Sequence, residues 1–107
     1  MLPSWFETTG LVSLEAALCG CNIVSTSQGY ARDYFADFAW YCDPARSSSI
    51  RDAVEQAWAS PPRPKLIDRV LANYTWEHTA RESLRAYEMV LAAQAPRPTS
   101  APEPVEA

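Results

Sequence analysis

The chain has 107 residues, enough for one small domain. Its 48% apolar share can furnish a core, although a domain this small buries too little surface to be more than modestly stable alone. The net charge of −4, without any basic stripe, argues against nucleic acid as a partner, and no apolar run approaches the ~20 residues of a membrane span.

The N-terminal MLPSWFETTG lacks a basic segment followed by an apolar one, so it does not read as a secretory leader. Residues 10–20, GLVSLEAALCG, predict a short, mostly apolar helix that stops at Gly20. The β-branched run at 22–26 predicts a buried strand, followed by a loop at 27–29 and a short helix over 30–36. Residues 39–42 predict a second strand, closed by Asp43-Pro44. Two strands separated by a helix-length connection imply parallel neighbours in an α/β layer.

A longer helix is expected to start near Ser49, where Ser49 and Asp52 have capping-box spacing. Its Ile50, Ala53, Val54, Ala57 and Trp58 share one face. Pro61, Pro62 and Pro64 break the chain, and residues 65–74 predict a further helix with Leu66, Val70 and Tyr74 in register. The last helix, over 76–93, carries a stripe of Trp76, Ala80, Leu84, Tyr87 and Leu91, with Glu77 and Arg81 as a surface pair. Residues 1–93 thus form the domain. Residues 94–107, which hold four of the nine prolines, are expected to be a disordered and dispensable tail.

Cys19, Cys21 and Cys42 have no Cys-x-x-Cys spacing, and His78 is far away in sequence, so they make no zinc set. They read as reduced cytosolic thiols in or near a core.

Glu15 is the residue that does not fit its surroundings. On a helical wheel it falls between Leu11 and Leu18 on one side and Val12 and Cys19 on the other, where a carboxylate is costly unless hydrogen-bonded. Either that face turns to solvent at Glu15, or it borders a cleft in which Glu15 accepts bonds from ligand hydroxyls. Glu7 lies just before the same helix, in a loop whose backbone N–H groups and helix dipole favour an anion. Two carboxylates flanking an anion site suit a sugar joined to a diphosphate. The other reading is that Thr8 or Thr9 caps the helix and Glu7 complements its dipole.

The run Pro3-Ser4-Trp5-Phe6-Glu7-Thr8-Thr9-Gly10-Leu11-Val12-Ser13-Leu14-Glu15-Ala16 resembles the signature P-S-x-x-E-G-x-G-L-x-x-L-E-A of GT-B-fold retaining glycosyltransferases, family 4. The likeness continues through Cys19-Gly20 and Ile23-Val24-Ser25-Thr26, then Gly29 and Asp33 in the G-G-x-x-E segment, and Asp43-Pro44. Tyr74-Thr75-Trp76-Glu77 with Tyr87 is similar to the family's F-S-W-E…Y terminal helix. The resemblance implies a partial Rossmann-like parallel sheet layer, the second half of a GT-B C-terminal domain, with C-terminal helices. It implies that Glu7 contacts the donor-sugar hydroxyls as the catalytic-site glutamate and that Glu15 contacts the ribose. Backbone N–H groups around Thr9, Gly10 and Leu11 would hold the donor phosphates. The substrate would be a nucleoside-diphosphate sugar, with no cofactor and no metal. The enzyme would be cytoplasmic, meeting a membrane surface only through the parent enzyme.

Three positions depart from that pattern. Thr8-Thr9 replaces a more open Gly-x, Asn22 stands where proline is common, and the bulkier Tyr30 replaces the second glycine of G-G. The resemblance also places the acceptor domain and the basic residues that grip the diphosphate upstream of this signature. The 107 residues alone are therefore expected to be inactive and to bind sugar nucleotides weakly or not at all. Two further readings stand beside the glycosyltransferase fragment. One is a non-catalytic remnant or interaction module of the same fold; the other is an unrelated α/β ligand-binding domain in which Glu15 is incidental.

Overall fold

The computed structural model describes residues 1–94. Its elements run α1 (Leu11–Leu18), β1 (Val24–Thr26), α2 (Ala31–Phe35), a 3-10 turn (Ala36–Phe38), β2 (Trp40–Cys42), α3 (Ser47–Ala59), α4 (Pro64–Asn73) and α5 (Trp76–Gln94). The order matches the sequence reading, with element ends shifted by a residue or two at most positions. Gln94, expected to begin the tail, is the last residue of α5, and the rest of that expected tail lies outside the described residues.

The two strands are parallel neighbours, with Val24 opposite Trp40, Ser25 opposite Tyr41 and Thr26 opposite Cys42. Adjacent carbonyls of a strand point to opposite edges. Ile23 C=O accepts from Trp40 N–H at 2.9 Å, whereas Val24 C=O accepts from Leu2 N–H at 2.8 Å. The N-terminal segment therefore lies along the far edge of β1, with parallel bridges at Leu2–Ser25 and Glu7–Gly29.

Both faces of this narrow sheet are covered, as a parallel layer requires. On one face Val24 and Cys42 pack on Ala53 and Ala57 of α3, flanked by Trp40, Ile50 and Val54. On the other, Ile23 and Ala39 join Leu14 and Ala17 of α1, Ala31 and Phe35 of α2, and Leu66 and Val70 of α4. The α/β reading holds, and the layer is compatible with a piece of a Rossmann-like sheet.

Polar groups lock the helices onto this frame. Asn22 donates from Nδ2 to the carbonyls of Ala57 and Ser60 at 2.8 and 2.9 Å, closing the C-terminal end of α3. The Asp33 and Tyr34 carbonyls at the end of α2 accept from Arg69 at 2.8 and 2.7 Å, and Asp33 also accepts from Tyr74 Oη at 2.8 Å. After α2 the chain turns through Ala36 at φ 45°, an unusual conformation for a residue with a Cβ. Tyr41 Oη donates to the Ala36 carbonyl at 2.6 Å, and the Arg32 guanidinium lies 4.1 Å from the Tyr41 ring centroid. Burial pushes the Tyr41 hydroxyl up to about 12.

Several local expectations are corrected. The Ser49–Asp52 capping box does not form: α3 begins two residues earlier, at Ser47, and Ser49 Oγ accepts from the Asp43 N–H at 2.9 Å. The Asp43 turn, whose carboxylate also binds the Ala45 N–H and Arg46 Nε, claims that hydroxyl first. Pro64 is the first residue of α4 rather than a break before it, because its fixed φ suits the opening turn and its missing N–H is not needed there. Trp58 is 90% exposed, since two three-residue strands provide no floor beneath it. Cys19 and Cys21 are exposed rather than near a core, and only Cys42 is buried. Burial, with the neighbouring Asp43 charge, raises the Cys42 thiol pKa.

The α5 stripe keeps its helical period, but no residue of α5 is buried; Trp76, Leu84, Tyr87 and Leu91 all face solvent. Thr75 caps this helix, its Oγ1 accepting from the His78 N–H at 3.4 Å. Glu77 does not form the expected ion pair with Arg81. Its own backbone N–H, and then the Thr75 hydroxyl, favour the ionised carboxylate and lower its pKa. Among the described residues no helix is long and apolar enough to cross a membrane.

Candidate functional site

The loop between the N-terminal segment and α1 is held from both sides. Glu7 donates its N–H to Gln28 C=O at 3.3 Å, and its own C=O accepts from Tyr30 N–H at 2.9 Å. Gly29 sits between those contacts at φ 87°, and a Cβ there would stand 2.1 Å from the Glu7 carbonyl oxygen. Only glycine permits so close an approach.

The Glu7 carboxylate turns back on its own loop. Oε1 accepts from the Gly10 N–H at 3.0 Å and Oε2 from Ser4 Oγ at 3.1 Å. An ionised carboxylate has about four lone-pair sites, so a further acceptor position remains on each oxygen. Gly10 precedes α1 in the left-handed region, φ 59° and ψ 43°, and its carbonyl accepts from Ser13 and Leu14. Neither Thr8 nor Thr9 caps the helix: both side chains are exposed, and no side chain bonds its first turn. The N–H groups of Thr9, Leu11 and Val12 have no partner among the described residues. They are the unsatisfied donors at the positive end of the α1 dipole.

Glu7, Thr9, Gly10 and Leu11 are thus gathered around one turn. Gly10 differs from expectation in one respect, because its N–H already serves Glu7. Glu15 stands a turn further along α1, exposed, and its carboxylate has no hydrogen-bond partner among the described residues. Leu11, Val12, Leu18 and Cys19 around it are exposed too, so the buried side of α1 is Ser13, Leu14 and Ala17. The apolar face that made Glu15 conspicuous is therefore the outward face in this chain.

Sequence reasoning missed the contacts of four residues. Ser4 is legible only as part of a motif, yet it fixes one oxygen of Glu7. Phe6 and Tyr30 meet edge to face, with ring centroids 6.1 Å apart and planes at 86°. The Asn22 amide reaches across 35 and 38 residues to close α3, which no local pattern announces. A separate open hollow of about 300 Å³ lies between β2 and the first turns of α3, lined by Trp40, Tyr41, Arg46, Ser49, Asp52 and Gln56. None of the candidate donor-site residues Glu7, Thr9, Gly10, Leu11 and Glu15 lines it. It marks the uncovered outer edge of β2.

No protein-family model matches the chain, and no solved structure matches it. Curated relatives do. A D-inositol 3-phosphate glycosyltransferase of Stackebrandtia nassauensis is 33% identical over 113 aligned positions, covering 94% of this chain and 24% of that protein. The protein of the same name from Frankia alni is 33% identical over 102 positions, covering 89% of this chain and 25% of its own length. That from Rhodococcus opacus is 28% identical over 94 positions, 82% of this chain and 21% of its length. The chain spans about a quarter of the length of the curated relatives it matches. It is similar to one portion of a glycosyltransferase.

Proposed function

We propose that this chain forms part of the donor-binding half of a GT-B-fold retaining glycosyltransferase, family 4. Such an enzyme moves a sugar from a nucleoside diphosphate to an acceptor hydroxyl. The observation that carries the proposal is the Glu7 carboxylate, fixed by Gly10 and Ser4 beside the unpartnered N–H groups of Thr9, Leu11 and Val12. Glu7 offers its remaining acceptor positions to sugar hydroxyls, and the amides receive the diphosphate. Gly10 serves by its backbone turn, which presents the amides on either side of it. Glu15, one turn on, receives the ribose hydroxyls.

In the reaction the bond from the anomeric carbon to the phosphate oxygen breaks, and a bond to the acceptor oxygen forms on the same face. The departing phosphate takes the acceptor proton, and the amides stabilise its charge. Neither glutamate becomes a covalent nucleophile, no cofactor or metal enters this scheme, and the donor is the substrate. The acceptor domain and the cations that grip the diphosphate belong to an upstream partner region. The setting is cytoplasmic, and any membrane surface is met through the parent enzyme. Without the upstream region the chain is inactive and its affinity for the donor is weak, on the order of millimolar, or about −4 kcal/mol.

The test is a heteronuclear NMR titration of the chain with nucleoside diphosphates to about 10 mM, a range suited to that affinity. The Thr9, Leu11 and Val12 amides should shift together and saturably. No shift at any of them with any of the diphosphates would sink the proposal. The exposed apolar face of α5 favours a second reading, an interaction module of the same fold. It predicts that these amides stay silent.

A further inference from the structure

Phe6 and Tyr30 are large aromatic side chains left 61% and 56% exposed, and their rings meet each other at the surface. Their backbones are not free to rearrange. Tyr30 N–H is bonded to the Glu7 carbonyl, Gln28 C=O holds the Glu7 N–H, and Gly29 lies against the same peptide. The rings meet edge to face, a geometry aromatic pairs prefer, so the corner they form is set before any ligand arrives. It is built on the Glu7 segment, whose Ser4 and Gly10 fix the Glu7 carboxylate, and on the 28–30 loop that holds the Glu7 backbone.

A hexose ring has hydroxyls at its rim and a patch of C–H bonds on its face. Recognition of both requires a fixed acceptor for the hydroxyls and an apolar or aromatic surface for the C–H patch. We propose that the Phe6–Tyr30 corner is the sugar-facing wall of the donor site and sets which hexose the site accepts. This rests on the reading of Glu7 and the α1 amides given above. The corner discriminates by shape: a sugar with its hydroxyls at the rim packs against the rings, and one with an axial hydroxyl on that face leaves it unpaired against carbon.

The test separates this inference from the reading beneath it. The chain, its Phe6→Ser and Tyr30→Ser variants, and a Tyr30→Trp variant that keeps an aromatic face are titrated by NMR. Each receives a nucleoside diphosphate and its glucose, galactose and mannose conjugates. Diphosphate alone should move the Thr9, Leu11 and Val12 amides equally in every variant. One conjugate should bind more tightly than the diphosphate, move the Phe6 and Tyr30 ring signals, and have its sugar protons shifted upfield. Each serine variant should lose about three- to tenfold in affinity for that conjugate only, the worth of one aromatic contact, and Tyr30→Trp should retain it. Amide shifts with unmoved rings and no serine effect would overturn the inference and leave the donor-site reading standing. Silence of the amides toward every diphosphate would overturn both. Both side chains are more than half exposed, so the serine variants should keep the dispersed spectrum of the folded chain.

Discussion

The backbone of Gly29 lies against that of Glu7 so closely that an added methyl group would stand 2.1 Å from the Glu7 carbonyl oxygen. The contact joins the loop after β1 to the loop before α1, and it occurs where φ is 87°. Gly29→Ala meets both penalties, a positive φ costing about 1–2 kcal/mol and an overpacked contact costing about 1–3 kcal/mol. Denaturant unfolding should show a loss of about 2–5 kcal/mol, or a loop displaced enough to lose the Tyr30–Glu7 hydrogen bond. A variant with unchanged midpoint and an unchanged Tyr30 amide shift would show that the two loops are not coupled.

Tyr41 and Ala36 form a second coupled pair. Tyr41→Phe removes the bond to the Ala36 carbonyl and should cost about 1–2 kcal/mol, because the carbonyl of a strained turn loses its donor. Ala36→Gly should stabilise the chain by about 1 kcal/mol, since glycine tolerates φ 45°. Thermal melts of both variants and the double mutant check this. A neutral Ala36→Gly would mean that the turn carries no strain.

The same tyrosine predicts an alkaline limb. Its folded pKa, about 12, lies above the ordinary value of 10.0, so the folded state holds the proton more tightly than the unfolded one. Its contribution is therefore complete below pH 10 and is lost as pH rises from there through about 12. Tyr41→Phe should flatten that part of the stability profile relative to the parent chain. Identical profiles above pH 10 would remove Tyr41 as the cause.

The two glutamates should separate cleanly. The Glu15 carboxylate makes no hydrogen bond among the described residues, so Glu15→Gln should leave stability within about 0.5 kcal/mol and report only on ligand. In the parent enzyme it should weaken nucleotide binding. Glu7→Gln should lower turnover more than nucleotide affinity, because the sugar it contacts moves as the bond breaks. Calorimetry and steady-state rates check the pair; equal effects on affinity from both would show that the roles are misassigned.

The fold was legible where neighbours in sequence are neighbours in space. The run Ile23-Val24-Ser25-Thr26 is β-branched enough to announce β1, and the register of Leu66 and Val70 announces the buried face of α4. Local signals failed where another group competed for them. The Ser49 hydroxyl went to the Asp43 turn rather than to a capping box, and Glu7 bonds the Gly10 amide while neither Thr8 nor Thr9 caps α1. Asn22 and Arg69 act across more than thirty residues, and spacing carries no trace of such contacts. Within the candidate site, the motif pointed to Glu7 and the start of α1. The aromatic corner depends on how two distant loops meet, and Phe6 and Tyr30 look unrelated along the chain.

The nineteen residues of α5 have a continuous apolar stripe, and among the described residues none of the helix is buried. In proteins most of a helix's stability comes from tertiary packing of its apolar face rather than from intrinsic propensity. Hydrogen exchange should therefore find α5 opening long before β1, whose Ser25 and Thr26 are fully enclosed. The free energy of burying that stripe is released only when another surface meets it. The persistence of α5 should then rise with protein concentration or on mixing with a partner, by mass action, while the strands remain indifferent to dilution.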